Sequence, residues 1–272
     1  MEFRPIERTA QAFQQPLTAE QIQAVCRRVF GAEARAVCAV ELGLGMYNNT
    51  YRVTVTGQER PVILRVAPEP GRQFRSERQL MRNEYASVPW LAVIASLMPR
   101  VIAADWSQEV IARDWMIQSL LDGVPAPDRV GAYPRSAWPG FYRQLGAIAK
   151  AVHATEPRML SGDLWTVNMM LADGAPEPTI TGVLDMDRTS WGDPAADWTI
   201  RMALAKPGTE RDAFWNSDGY GALDRSAAAQ WRSRIYQARH IGAVRLECHR
   251  LGSAAGVRGT YQGVGAVLAG LA

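Results

Sequence analysis

Lysine and cysteine are the scarcest functional residues of this sequence. Only Lys150 and Lys206 occur among its 30 Lys and Arg residues, so no ammonium side chain precedes Lys150. The 3 cysteines, Cys26, Cys38 and Cys248, are odd in number and far apart, and none has C-x-x-C spacing. This pattern suggests neither a disulfide framework nor a cysteine zinc site. We expect three reduced, buried thiols.

The chain also lacks a strong excess of charge and a long apolar run. Its 30 basic and 27 acidic residues leave a net charge of +3, too little for a protein that binds nucleic acid through phosphates. The longest uncharged apolar run, residues 85–99, is too short to span a bilayer and contains Pro89 and Pro99. The charged N-terminus does not resemble a secretory signal. We therefore expect a cytoplasmic protein with no nucleic-acid or membrane partner.

The first part of the chain has the pattern of a small sheet with helices. Residues 1–16 lack periodicity and are expected to form a loose arm. Thr18 and Gln21 form a capping box for a helix that ends at Gly31. Three β-rich runs follow, which we interpret as antiparallel strands. They are AVCAVEL (36–42), NTYRVTV (49–55) and PVILRVA (61–67).

Further elements are predicted up to residue 121. Helical spacing over 75–91 places Leu80, Tyr85 and Val88 on one stripe. A strand is expected over 100–103 and another within EVIARDWMIQSLL (109–121).

Beyond Pro139 the composition becomes helical. The run 141–154 places Tyr142, Leu145, Ile148 and Val152 on one face. The composition therefore predicts an α+β protein with a sheet-containing domain over 1–121 and a mainly helical one over 122–272. At 272 residues, each domain is large enough to bury its own core.

The segment ELGLGMYNNTYRV (41–53) contains Gly43 and Gly45 between two strands. Glycines leave backbone N–H groups free to approach an anion such as a phosphate. A glycine-containing hairpin turn explains the same residues without a ligand.

Two acidic segments lie in the second half. In SGDLWTVN (161–168), Asp163 precedes Asn168 by five residues, so one carboxylate could accept a proton while the nearby amide oxygen binds Mg²⁺. Asp185 ends an apolar strand, where a lone carboxylate suits a magnesium ion that also binds nucleotide phosphates. An Asp-containing turn is the alternative for Asp163. Asp193 is expected to support a turn or to cap a helix.

The sequence contains, in this order, the glycine loop, the LRVA strand, the helix with NEY (83–85), MIQSLLDG, the D-x-x-x-x-N loop and LDMD. This succession of motifs resembles the aminoglycoside phosphotransferase and choline kinase-like small-molecule kinases. The likeness extends from about residue 41 to about residue 198. It implies a protein kinase-like bilobal fold, a small-molecule kinase activity, Mg²⁺ as cofactor, and ATP or GTP as phosphate donor.

The resemblance also implies residue roles. Asp163 would be the catalytic base, and Asn168 and Asp185 the magnesium ligands. The loop 43–49 would cover the phosphates, and the backbone of 118–120 would hold the purine. The implied nucleotide-binding residues are Gly43, Gly45, Asn48, Asn49, Arg65, Glu84, Gln118, Ser119 and Leu120.

Two positions depart from the family pattern. Arg65 stands where such kinases usually carry a phosphate-contacting lysine, and we expect its guanidinium to pair with Glu84, or as second choice with Glu77. An arginine exposed on an edge strand is the alternative. Ser161 stands where the motif usually begins with histidine, and its hydroxyl is expected to brace the loop through a backbone hydrogen bond. Only eight positions separate His153 from Ser161, so either the connection is short or a segment is omitted.

The acceptor is left open by the sequence. Acidic residues at 210, 212, 218 and 224 could line a pocket for a polycation or form a solvated helix face, whereas the tail from 227 onward is rich in arginine. Three functions follow from the resemblance. The first is a kinase for a hydroxyl of an antibiotic, and the second is a metabolite kinase of the sugar, fructosamine, choline or amino-alcohol type. The third is a nucleotide-binding pseudokinase scaffold.

Overall fold

A computed structural model, which describes residues 1–43 and 45–270, shows two compact units. The N-terminal unit consists of Met1–Ala86 and Pro99–Leu121, and the C-terminal unit of Ser87–Met98 and Asp122–Ala272. Residues 87–98, expected in the first domain, thus pack with the second unit. Leu91 and Ile94 of this segment belong to the hydrophobic core of the C-terminal unit.

Six strands form the sheet of the N-terminal unit. They are β1 (Glu2–Arg4), β2 (Ala36–Leu42), β3 (Asn49–Val55), β4 (Val62–Val66), β5 (Val101–Asp105) and β6 (Trp115–Ser119). They lie in the order β1-β2-β3-β4-β6-β5, and only the β1–β2 pair is parallel. The structure therefore confirms the three predicted antiparallel strands. Alternation along β3 buries Tyr51 and Val53 and exposes Arg52.

The first helix, α1 (Ala19–Phe30), begins as the capping box predicts. Thr18 Oγ1 accepts from the backbone N–H of Gln21 at 3.2 Å, and Gln21 Oε1 accepts from the N–H of Thr18 at 2.9 Å. These bonds satisfy two N–H groups that the helix itself leaves unpaired. Ile22 and Val25 are buried in the core beneath the sheet strands.

The N-terminal arm is attached to the sheet, so the expectation of a loose arm was wrong. Besides β1, the backbone N–H of Ile6 donates to Glu41 Oε2 at 2.8 Å, and Arg8 donates to Glu41 Oε1 at 2.7 Å. A three-residue edge strand is too short to show the alternation by which strands are recognised in a sequence.

The predicted helix over 75–91 is divided into three pieces. They are a 3₁₀ turn at Arg75–Glu77, α2 (Leu80–Ser87) and a 3₁₀ segment at Val88–Leu97. Gln79 has a left-handed φ of 68°, which interrupts the helical path before α2.

The predicted apolar stripe of this segment was also wrong. Tyr85 and Val88 are exposed, whereas Met81 and Glu84 are buried. A buried ion pair at Glu84, described below, determines which face of α2 is turned inward, and hydrophobic spacing alone does not reveal it.

The C-terminal unit contains most of the helices. They are α3 (Ala126–Arg129), α4 (Trp138–His153), α5 (Trp198–Leu204), α6 (Ala227–Arg250) and α7 (Ala254–Ala269). The predicted face of α4 is confirmed, since Tyr142, Leu145 and Val152 are buried. Shorter 3₁₀ turns lie at Val130–Ala132, Arg135–Ala137, Thr166–Asn168, Pro194–Ala196 and Glu210–Trp215.

The C-terminal unit also contains two small β-sheets. The strands are β7 (Val124–Pro125), β8 (Met159–Leu160), β9 (Met169–Leu171), β10 (Ile180–Val183) and β11 (Ser190–Trp191). They form one sheet in the order β10-β9-β7 and a second from β11 and β8. Within the described ranges, none of the helices combines the length and apolar character that a membrane crossing requires.

Candidate active site

Two of the predicted site residues are brought together by the β9–β10 hairpin. Asn168 comes directly before β9, and Asp185 follows shortly after β10. The strands are antiparallel with Val183 opposite Met169, and the N–H of Leu184 donates to the carbonyl of Asn168 at 2.8 Å. The start of one strand and the end of the other therefore meet.

Asp163 lies in the loop that leads to the same point. The Asn168 side chain donates through Nδ2 to the backbone carbonyl of Asp163 at 2.8 Å. This bond fixes the amide and turns its Oδ1, the metal-binding atom of an asparagine, away from that carbonyl. The five-residue spacing read from the sequence thus closes a loop in the structure.

The pKa of Asp163 reflects its burial and the charge of Asp185. Burial, and after it the negative charge of Asp185, raise the pKa of the Asp163 carboxyl to about 7. The charge of Arg188 and a side-chain hydrogen bond from Asn168 lower this pKa. Both carboxylates are half-buried. Partial burial and a second carboxylate both favour the protonated form of an acid, and groups with such elevated pKa values concentrate at functional sites.

The donor set fits a hard cation that keeps other ligands. A carboxylate from Asp185 and an amide oxygen from Asn168 are oxygen donors of the type that Mg²⁺ prefers. Within the part of the chain that is described, no three of His, Cys, Asp and Glu gather as a complete metal cage. A magnesium ion here would draw its remaining ligands from water and a phosphate.

Backbone strain marks the Asp185 position. Asp185 has a φ of 60°, in the left-handed region that non-glycine residues seldom adopt. Such conformations persist where the surrounding structure imposes them, and they are concentrated at active sites. The strained backbone is consistent with a functional placement of this carboxylate.

The loop before Asp163 is braced by a buried carboxylate. Asp197 Oδ2 accepts from the N–H of Ser161 at 2.5 Å and from its Oγ at 2.8 Å, and Asp197 Oδ1 accepts from the N–H of Gly162 at 3.2 Å. The prediction of a backbone partner for the Ser161 hydroxyl was wrong, because the hydroxyl donates to this carboxylate. The anion offers a stronger acceptor than a carbonyl.

The brace continues to a histidine and a tyrosine. His153 Nε2 lies 2.9 Å from Asp197 Oδ2, and His153 Nδ1 lies 2.8 Å from the Tyr220 hydroxyl. Burial alone would raise the pKa of Asp197, but the His153 hydrogen bond and charge and the Ser161 bond hold that pKa below its ordinary value. Sequence reasoning missed this role, and the only signal was a histidine at the buried end of α4.

Gly162 allows the loop to pass close to another segment. Its φ is 79°, and a Cβ built on it would lie 2.1 Å from the carbonyl oxygen of Arg188. A side chain at this position is therefore excluded by both conformation and space. The glycine lets the backbone around Asp163 approach the 185–188 segment.

In the N-terminal unit, Arg65 and Glu84 form a buried ion pair. Arg65 Nη1 donates to Glu84 Oε1 at 2.7 Å and to Oε2 at 2.5 Å, and Gln118 Nε2 donates to Oε1 at 3.3 Å. The first choice of partner, Glu84, is thus present. Strand β4 lies between β3 and β6, so the alternative of an exposed edge-strand arginine was wrong.

We expect the substitution Glu84→Gln to lower the free energy of unfolding by about 3 kcal/mol, because it removes the carboxylate that pairs with the buried guanidinium of Arg65. Urea unfolding followed by circular dichroism measures this, with Glu59→Gln on the exposed surface as the matched control. A loss no larger than that of the control would show that the pair is not a determinant of stability.

The glycine loop has a structural anchor. Gln14 Nε2 donates to the carbonyls of Gly45 and Asn48 at 3.0 and 2.8 Å. The Asn49 side chain donates to Glu41 and accepts from Arg113, both at 2.8 Å, so it braces the hairpin. Leu44, within the predicted 43–49 cover, lies outside the described residues. The phosphate-binding role of Gly43, Gly45, Asn48 and Asn49 stays a prediction.

The predicted purine-binding segment lies at the end of β6. Gln118 is in the strand, and its side chain contacts Glu84. The N–H of Ser119 donates to the carbonyl of Arg100 at 2.9 Å and is therefore used within the sheet. Leu120 follows the strand and is half-buried. The purine contact of 118–120 stays a prediction.

The acidic residues expected near an acceptor are engaged within the protein. Glu210 pairs with Arg135 at 2.6 Å, and Asp218 lies 3.6 Å from Arg143. Asp212 accepts from the N–H of Gly208 at 2.9 Å. These contacts offset part of the negative charge of this segment, while the Asp218 side chain remains largely exposed.

No family model matches the sequence, and no curated protein matches it by sequence. Solved structures do match. A candidate aminoglycoside phosphotransferase from Ralstonia eutropha JMP134 aligns with a TM-score of 0.62 at 13% identity, over 92% of this chain and 98% of its own.

Two ligand complexes are similarly related. The GDP and kanamycin complex of APH(2")-IIia has a TM-score of 0.65 at 12% identity, over 90% of this chain and 98% of its own. The gentamicin complex of APH(2")-IIa has a TM-score of 0.59 at 12% identity, over 92% and 97%. The chain therefore has the kinase-like α+β fold of these aminoglycoside phosphotransferase structures.

Proposed function

We propose that the protein is a phosphotransferase that moves the γ-phosphate of ATP or GTP to a hydroxyl of a small molecule, with an aminoglycoside-type antibiotic as the first acceptor to test. The convergence of Asp163, Asn168 and Asp185 carries the proposal. It occurs on a fold whose solved neighbours include a GDP and kanamycin complex and a gentamicin complex.

In the proposed reaction Asp163 is the general base. Its carboxylate takes the proton of the acceptor hydroxyl as the hydroxyl oxygen bonds to the γ-phosphorus, and the bond from that phosphorus to the bridging oxygen breaks to release a nucleoside diphosphate. A carboxyl whose pKa is raised toward neutrality is a better proton acceptor than an ordinary aspartate. Asp197 positions the loop that carries it.

Asn168 and Asp185 would hold the magnesium ion. When bound, Mg²⁺ neutralises negative charge on the transferred phosphate. In the N-terminal unit, Arg65 is the candidate phosphate contact, since its guanidinium is oriented by Glu84 and offers a fork of donors suited to phosphate.

A metabolite kinase is the second candidate for the acceptor class. It is favoured by the pairing of Glu210 and Asp218 with arginines, which offsets part of the negative charge that would attract a polycationic antibiotic.

Transfer of radiolabelled γ-phosphate to a panel of aminoglycosides, sugars, fructosamines, choline and amino alcohols tests the proposal. Transfer to one class identifies the acceptor. Nucleotide binding without transfer to any hydroxyl would overturn the enzyme proposal in favour of a pseudokinase scaffold.

We expect Asp185→Asn to weaken the binding of magnesium nucleotide by about tenfold or more, because it removes the charged ligand of the cation. Isothermal titration with Mg-ATP and with ATP in chelator gives the two affinities. The affinity measured in chelator should be unchanged, and Asp173→Asn at an exposed position serves as control. Equal Mg-ATP affinity in Asp185→Asn and wild type would exclude Asp185 as a ligand.

A further inference from the structure

A cavity of about 630 Å³ lies within the C-terminal unit. Its walls come from the Pro194–Ala196 turn, α5, the first turns of α6 and the intervening 215–225 segment. The volume is in the range of sites that enclose small organic molecules. None of Asp163, Asn168 and Asp185 is among its described lining residues, so the cavity is separate from the proposed catalytic residues.

Much of the wall is apolar and aromatic. Ile200 and Leu204 of α5 contribute aliphatic surface, and Trp215 and Tyr220 contribute rings. The rings lie edge to face with centroids 5.6 Å apart, which fixes their orientation. An occupant with an aromatic or aliphatic body would bury apolar area here.

The two carboxylates of the cavity are already satisfied by the protein. Asp193 accepts from the N–H of Ala195 at 3.0 Å and from the Tyr236 hydroxyl at 3.2 Å, and it pairs with Arg232 at 3.2 Å. Asp224 accepts from the N–H of Ser226 at 2.9 Å and lies 3.9 Å from the same Arg232. A single arginine thus offsets one of the two negative charges in the cavity.

The cavity has three further arginines in its wall. Arg158, Arg225 and Arg234 line the cavity and are exposed. None of their side chains has a hydrogen-bond or ion-pair partner among the described residues. Several guanidinium groups around one concave surface create a positive potential that attracts anions. Guanidinium groups also bind carboxylate, sulfonate and phosphate oxygens in a forked geometry.

We propose that this cavity binds a small organic anion, with its acidic group held by the arginines and its apolar body against Trp215 and Tyr220. The site goes beyond the proposed phosphotransfer and does not depend on it. Tyr220 also bonds to His153, which bonds to Asp197, so an occupant would touch the residues that brace the Asp163 loop.

Calorimetric titration of the full chain with naphthalene-2-sulfonate, and with the neutral analogue 2-naphthylmethanol, tests the proposal. We expect one sulfonate per chain, bound about tenfold more tightly than the alcohol, since only the sulfonate forms charge-assisted hydrogen bonds. The Arg158→Gln/Arg225→Gln double variant should lose that preference. Arg52→Gln, an exposed arginine of β3, should keep it.

Three outcomes would overturn the proposal: no saturable sulfonate binding, equal affinity for the two probes, or an unchanged preference in the double variant. Arg158, Arg225 and Arg234 are all exposed, so these substitutions do not put folding at risk, and Arg234→Gln should weaken the preference as well. Since the titration uses neither nucleotide nor turnover, its failure would leave the phosphotransfer proposal standing, and failed transfer would leave this site standing.

Discussion

The Asp163→Asn variant is expected to transfer phosphate at least about a thousandfold more slowly than the wild type while its affinity for nucleotide changes by only a few fold. The carboxamide cannot accept the hydroxyl proton, and the general base acts in the transfer step rather than in binding. Single-turnover transfer and equilibrium titration of nucleotide separate the two quantities. Asp128→Asn, an exposed aspartate of α3, is the control.

The same variant is expected to be more stable than the wild type when no metal is present. The folded protein keeps the Asp163 proton up to a pKa of about 7, whereas an unfolded aspartate loses it near 3.9. Between these values the folded state binds more protons, so stability falls as the pH rises, by about 1.4 kcal/mol per pH unit. An asparagine at position 163 does not titrate, so the variant avoids this loss of stability. Thermal unfolding in chelator at pH 8 measures it.

These two results together distinguish a catalytic role from misfolding. Near-normal turnover in Asp163→Asn would remove Asp163 from the role of base. A lower melting temperature than that of the wild type at pH 8 would show that the buried carboxylate is stabilised rather than strained by its surroundings.

The Asp197→Ala variant is expected to lose about 4 kcal/mol of unfolding free energy and most of its turnover. Removal of this carboxylate leaves the buried donors of Ser161 and His153 and the part-buried N–H of Gly162 without this acceptor, and unpaired buried polar groups are costly. Urea unfolding gives the stability, and the transfer assay gives the activity.

Asp193→Ala is the matched control for this prediction, because Asp193 caps the neighbouring turn but is partly exposed and pairs with a surface arginine. It should cost about 1 kcal/mol. If Asp197→Ala cost no more than Asp193→Ala, the brace would not be a determinant of the loop.

Sequence patterns correctly predicted those helices and strands whose caps or apolar periodicity lie within the element itself. The capping box at Thr18, the strands over 36–66 and the apolar face of α4 follow from spacing within a few residues. The failures at β1 and α2 have another cause. The arm is held by Glu41, and α2 is oriented by Arg65, and neither contact leaves a periodic signal in the sequence.

In the candidate site, too, some residue roles could be predicted from the sequence and others could not. Asp163, Asn168 and Asp185 could be proposed because their residue types, spacing and resemblance to a kinase motif are visible in the sequence. The bracing role of Asp197 could not, because it depends on a helix end at His153 and a loop at Ser161 meeting the same carboxylate. Sequence distances of 36 and 44 residues separate the partners.

A crystal structure with Mg²⁺ and a non-hydrolysable ATP or GTP analogue tests the central claim most directly. The account predicts a cation at about 2.1 Å from both the Asn168 Oδ1 atom and an Asp185 carboxylate oxygen, with the Asp163 carboxylate facing the terminal phosphate. A bound cation held by other side chains, with Asn168 and Asp185 turned away from it, would contradict the account.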